Sequence, residues 1–339
     1  MKTKILSSIV RALKQKTLPI LDYLLIDKTH LTSTDLQVYV KVRHTLPVLS
    51  DLILVNAAQF IRKLADVSAP FKIEQELNGV RITTPTSVAV LQSSDGDFPS
   101  FPVTDSKELM GVLTEGDINI MSRSLGFVAD DDLRPVMESV FVDKGHIVAS
   151  DAHVIIFTKT PGRDFQLAVP KKVVGLMSLL PGVYEIYKGT RHLFAESSDA
   201  TICWRDEGLN YPNWQKVVPE QTGSVIIPIA ETIAALKRVS STMNSYTHLV
   251  VWRINGEELL IKTKDNDFLI TSTEKVPIVN TGCYEIETGF KHGLLLRILR
   301  EIQADGMFQA EFKFTDSVRA FTFADKFLLM PMMLSEPFE

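Results

Sequence analysis

The feature that most constrains this chain is a pattern that recurs about every 115 residues, the mark of one supersecondary unit used more than once. Three segments each carry an apolar run, a short turn, a second run and an aspartate. They are Leu18-Pro19-Ile20-Leu21 through Asp35, Val136-Met137 through Asp151, and Leu249-Val250-Val251 through Asp265. The aspartates lie 116 and then 114 residues apart in a chain of 339. A chain of this length exceeds one ordinary core, so the repeat predicts three similar domains over 1–107, 108–221 and 222–339. Polar stretches at Asp105-Ser106-Lys107 and Glu220-Gln221-Thr222-Gly223 mark the junctions. No long Gly/Ser or Pro linker separates the units, which predicts rigid packing between them.

Within each unit the periodicity predicts two helices, one early and one late. Apolar residues fall at three- and four-residue spacing over roughly 6–14, 56–66, 116–128, 170–180, 228–239 and 289–302. Asn56 and Thr288 are placed as N-caps of the second and last helices. Between helices the chain alternates at period two, as in Val38-Tyr39-Val40-Lys41-Val42 and Phe308 through Phe314, the pattern of half-buried antiparallel strands. Each unit is therefore expected to be α+β, with antiparallel sheets and two helices packed on one sheet face.

The formal net charge of −5 argues by itself against wrapping a polyanion. Its distribution argues otherwise. The six predicted helices hold twelve basic residues and four acidic ones, net +8, leaving 24 basic and 37 acidic residues elsewhere, net −13. A solvated helix face normally mixes both signs, so one biased helix means little and six point to a basic face on an acidic protein. None of these helices interleaves aromatic platforms with its cations or carries a helix-turn-helix pattern, so contact with duplex phosphates without sequence preference is the simplest expectation.

Catalytic chemistry finds few footholds. No P-loop, HExxH, nucleophile elbow or dinucleotide glycine pattern occurs, and Cys203 and Cys283 have neither disulfide-framework nor metal-ligand spacing. No metal or cofactor is expected. Asp151 and His153, two residues apart on a strand, are the best acid/base pair and sustain an alternative reading as a DNA-processing hydrolase. A repeated Asp at a strand end is more often a turn residue. The absence of a signal-peptide core or membrane-length apolar run leads us to expect a cytoplasmic, nucleoid-associated protein.

Four local patterns resemble the bacterial DNA polymerase III beta subunit, the beta sliding clamp family. Thr17-Leu18-Pro19-Ile20-Leu21 with Leu31-Thr32-Ser33-Thr34-Asp35-Leu36 is similar to the family's opening "TLPIL … LTATDLE". Val148-Ala149-Ser150-Asp151-Ala152-His153 is similar to "VATDGHR", Tyr211-Pro212-Asn213-Trp214-Gln215-Lys216-Val217-Val218-Pro219 to "FPDYRRVIP", and Phe327-Leu328-Leu329-Met330-Pro331-Met332-Met333-Leu334 to the C-terminal "YVVMPMRL".

That resemblance implies a non-catalytic processivity factor: a head-to-tail homodimer whose six domains form a ring around duplex DNA. The expected DNA-binding residues are basic positions of the predicted helices, Lys14, Arg62, Lys63, Arg123, Lys171, Lys172, Lys237, Arg238, Lys291, Arg297 and Arg300, with Lys16 added from the family's basic loop. The resemblance also implies a pocket between the second and third domains for short linear peptides of the replicative DNA polymerase, clamp loader and repair proteins. The matching positions are Met137, Ser150, Ala152, His153, Val154, Ile155, Pro212, Lys216, Val217, Val318, Leu328, Met330, Pro331 and Met332. A clamp-like peptide-binding scaffold without DNA contact is a further alternative. The chain departs from the family at Ala152 and Val154, where the family has Gly and Arg, at Met333, where it has Arg, and in a tail, Ser335-Glu336-Pro337-Phe338-Glu339. Val154 and Met333 predict a more apolar pocket, and the tail is a candidate competitor for it. The first unit is also short before Thr17, with Lys14 and Lys16 where the family presents a basic loop and Gln15 in place of an Arg.

Overall fold

The computed structural model describes residues 3–13, 18–67, 70–77, 79–104, 106–130, 134–208, 210–265 and 268–334. Among them are six α-helices: α1 (Thr3–Ala12), α2 (Ala57–Asp66), α3 (Glu115–Ser124), α4 (Lys171–Leu179), α5 (Ile229–Val239) and α6 (His292–Ala304). All other regular structure is antiparallel strand and short 3-10 turn, so the α+β expectation holds. Among the described residues no helix is long and apolar enough to cross a membrane.

The chain forms two compact units. The first comprises Met1–Leu125, Ser139–Ile147 and Thr160–Asn210, the second Gly126–Glu138, Val148–Lys159 and Tyr211–Glu339. An eight-stranded sheet spans the first, in the order Leu52–Asn56, Tyr23–Asp27, His30–Thr34, Val38–Arg43, Ala200–Arg205, His192–Glu196, Tyr184–Lys188 and Glu108–Leu113. Its central seam pairs Val38 with Trp204 and Val42 with Ala200, joining strands far apart in sequence. Val38, Val40 and Val42 point inward while Tyr39 and Lys41 are half-buried, as the period-two pattern requires. Around Phe60 the core collects Leu6, Leu24, Ile26, Ile53 and Ile82, so α1 and α2 cover this sheet with the apolar stripes read from the sequence.

In the second unit a run of five strands places Val154–Lys159 beside Phe327–Leu329, then Phe321–Phe323, Gln309–Phe314 and Gly223–Pro228. A four-stranded sheet holds Ile270–Pro277, Glu258–Asp265, Leu249–Asn255 and Ile286–Lys291 in that order. The core here is aromatic: Trp252 contacts Phe290, Phe312 and Phe323 at ring separations of 5.4 to 6.1 Å, mostly edge to face. The buried His292 ring bonds the Leu236 carbonyl at 3.0 Å and ties α6 to α5.

The sequence misplaces several helix ends: α1 begins at Thr3, not near residue 6, and two further shifts have a local cause. Helix α3 stops at Ser124 and continues only as a 3-10 turn, Leu125–Phe127, because Gly126 weakens the α-helical path. Helix α6 begins at His292 because Gly289, Phe290 and Lys291 complete a strand opposite Leu249–Asn255. Thr288 is consequently no cap, and its hydroxyl donates to the Ser317 carbonyl at 3.1 Å. Asn56 caps α2 as expected, accepting from the Gln59 N–H at 3.1 Å.

Two repeats share one turn down to the atom. Strands His30–Thr34 and His146–Ser150 each end at an aspartate. Asp35 accepts the N–H groups of Gln37 and Val38 at 3.0 and 2.7 Å, and Asp151 those of His153 and Val154, both at 2.9 Å. The hydroxyls of Thr34 and Ser150 donate to the Val38 and Val154 carbonyls at 2.9 Å in both cases. The following residues, Leu36 and Ala152, lie in left-handed conformation at φ 73 and 76.

Candidate peptide-binding strip and basic helices

The seam Val154–Leu329 lasts for three residue pairs, after which the chain leaves the sheet. Met330 still donates its N–H to the His153 carbonyl at 2.8 Å, and Met332 donates to Gly289 at 2.8 Å across a bridge to the other sheet. Met330-Pro331-Met332 therefore crosses from one sheet to the other. The crossing requires Gly289, where a Cβ would come within 2.9 Å of the Met332 carbonyl oxygen and 2.7 Å of Leu249.

The unit that holds the crossing exposes several apolar side chains. Met330 is 44% exposed and Val217 and Val318 each 52%, with Pro331, Met332 and Ile155 half-buried. Trp214, stacked on Phe157 at 5.1 Å and almost fully buried, anchors the turn that presents Lys216 and Val217. Ala152, His153, Pro212 and Lys216 are exposed in the same unit.

Four of the predicted pocket residues do not face solvent. Met137, Ser150, Val154 and Leu328 are 8%, 5%, 1% and 2% exposed. The Ser150 hydroxyl is committed to the Asp151 turn, and Val154 packs inward opposite Leu329. The Val154 side chain is thus core, and the expectation that it makes the pocket surface more apolar is overturned. Met333, 77% exposed, does add apolar surface. The tail Ser335–Glu339 lies outside the described residues.

The other seam provides an internal comparison. Trp204 stands opposite Val38 as Leu329 stands opposite Val154, so Arg205, Asp206 and Glu207 occupy the places of Met330, Pro331 and Met332. Asp206 pairs with Lys188 at 3.0 Å. The same fold element is charged at one seam and apolar at the other, so the methionine strip is a property of sequence and not of architecture.

The hydrolase pair does not assemble in this turn. Asp151 Oδ1 receives two backbone N–H groups, and the His153 side chain is exposed beside it.

The predicted DNA-contacting cations differ in their exposure and in the partners they hold. Lys14 and Lys16 lie outside the described residues. In the first unit Arg62 and Arg123 are exposed, and Lys63 and Lys171 half-buried. Lys172 on α4 forms an ion pair with the fully buried carboxylate of Asp35, so its charge is neutralised inside the unit. In the second unit Lys237, Arg238, Lys291, Arg297 and Arg300 are exposed. Arg238 pairs with Glu274 at 2.7 Å, and Arg297 donates to the Gly126 carbonyl and lies 5.8 Å over the Phe127 ring. Lys291 ends a strand instead of lying in α6. The helix bias survives in observed bounds, with eleven basic against five acidic residues.

No family model matches the sequence, and no curated protein matches it. Solved structures do match the fold. The DNA polymerase III subunit beta of Pseudomonas aeruginosa superposes with a TM-score of 0.83 at 22% identity, covering 98% of this chain and 97% of that one. The DNA polymerase III beta subunit of Thermotoga maritima gives 0.84 at 16% identity, covering 99% of each chain. A DnaN sliding clamp of Pseudomonas aeruginosa, in a structure bound to griselimycin, gives 0.81 at 21% identity over 98% and 97%. From end to end, this chain has the repeated-domain fold of the bacterial DNA polymerase III beta sliding clamps.

Proposed function

We propose that the protein is a DNA sliding clamp: a non-catalytic homodimeric ring that encircles duplex DNA and tethers the replicative polymerase, clamp loader and repair proteins through the methionine strip. The observation that carries this reading is the fold likeness to sliding clamps over nearly the whole of both chains. The basic bias of the helices supplies the attraction to phosphate, weak enough for movement along the duplex. Its place of action is the cytoplasm, on the nucleoid.

The repeat supports a dimer. Within three clamp domains at 1–107, 108–221 and 222–339, two seams close inside the chain, at Val38–Trp204 and Val154–Leu329. The corresponding strands for a third seam are Ile270–Pro277 and Val88–Leu91, and each is the last strand of its sheet. Val88 and Val90 are 56% and 52% exposed, and Phe268, Leu269 and Ile270 also stand out in solvent. A second copy joined head to tail pairs these open edges and closes the ring.

The test is topological. Protein loaded onto nicked circular DNA stays bound, and linearising the circle releases it. Equal release from both forms overturns encirclement. The scaffold alternative predicts no effect from reversing charge at Arg62, Arg123 and Arg300, whereas the clamp loses retention on the circle.

A further inference from the structure

We propose that Ser335-Glu336-Pro337-Phe338-Glu339 is an internal ligand of the methionine strip, an autoinhibitory tail that partners must displace. The proposal rests on the reading of that strip as a peptide-docking surface. Position supports it first. Met332 is bonded to Gly289, and a Leu334 methyl lies 2.9 Å from the point where a Gly289 Cβ would stand, so the chain is still against the strip at its last described residue. Four further residues extend at most about 14 Å, enough to bring Phe338 back over Met330.

Chemistry supports it second. The strip offers adaptable thioethers at Met330 and Met332, and Val217, Val318, Lys216 and His153 are exposed in the same unit. The tail offers one aromatic ring flanked by Glu336 and Glu339, with Pro337 lowering the entropy lost on ordering. Apolar meets apolar and acid meets base. A tether this short holds its ligand at an effective concentration of about 1 mM, so even a tail with ~0.1 mM intrinsic affinity weakens a competing partner about tenfold.

Methyl NMR of 13C-methionine protein reads the strip directly, with Met330 and Met332 assigned through Met330→Leu and Met332→Leu. Both signals are expected to move when the chain ends at Leu334. Phe338→Ala in the full chain should reproduce the truncated spectrum, and the synthetic peptide Leu-Ser-Glu-Pro-Phe-Glu added to the truncated chain should reverse the change. Binding of the same cell's replicative polymerase should tighten about tenfold on truncation. Met330 and Met332 signals that ignore truncation overturn the tail. The docking reading fails separately, if Val318→Glu in the truncated chain leaves polymerase affinity unchanged.

Discussion

Leu36 and Ala152 occupy equivalent places in two repeats, each held left-handed by hydroxyl and carboxylate bonds to the same backbone groups. An L-residue there carries roughly 1–2 kcal/mol of steric cost, which the surrounding turn overrides. Ala152 is exposed, so glycine would relieve that cost and lose no packing. Ala152→Gly is expected to raise stability by about 0.5–1 kcal/mol after the extra freedom of unfolded glycine is counted, read as a higher urea midpoint. The aspartate beside it was legible as a turn residue from its spacing alone, because strand, Asp and return strand recur in order. The burial of Val154 was not legible. A single register step decides which face a strand residue takes, and that step is set by Leu329, about 175 positions away in sequence.

At the scale of elements, the first repeat departs from the other two at a sheet edge. Strand Tyr184–Lys188 is flanked by Glu108–Leu113, and Gln309–Phe314 by Gly223–Pro228. The corresponding strand Lys72–Glu76 is bordered instead by the segment around Pro47–Ser50, through the Ile73 N–H to the Pro47 carbonyl at 3.0 Å and the Leu49 N–H to the Ile73 carbonyl at 2.9 Å. Helix α3 depends on its start. Thr114 and Asp117 form a capping box, and Arg163 closes on the same carboxylate at 2.6 Å. Burial by itself would raise the Asp117 carboxyl, but hydrogen bonds from Arg163 and Thr114 outweigh it and hold the group below its ordinary 3.8. A lowered folded value means that this stabilisation is complete above the ordinary carboxylate range and is lost as pH falls through the folded value. Arg163→Ala should cost about 3 kcal/mol in urea unfolding at pH 7, because it strands a buried charge. The difference from wild type should shrink at pH 3, and a difference constant with pH contradicts the assignment. The capping box is local to Thr114 and Asp117, whereas Arg163 arrives from a separate loop and no local pattern points to it.

For the molecule as a whole, the dimer carries the most exposed claim. Replacing both Leu269 and Ile270 by Ala removes apolar contact from the open strand end while touching no core residue, since they are 87% and 44% exposed. Sedimentation is expected to shift from twice 37.9 kDa to 37.9 kDa with the thermal midpoint of each unit little changed. An unaltered dimer would place the interface elsewhere. Read alone, the sequence determined the α+β class and the basic bias of the helices, because periodicity and composition are local properties of a chain, whereas the methionine strip was expected only through the resemblance to a family. Tertiary structure alone decided which candidates remain available. Asp35 neutralises Lys172, the Gly126 carbonyl and Phe127 ring engage Arg297, and the sheet register takes Val154 and Leu328 into the core. Each outcome depends on a partner far away in sequence, and long-range pairing is what a local pattern cannot encode.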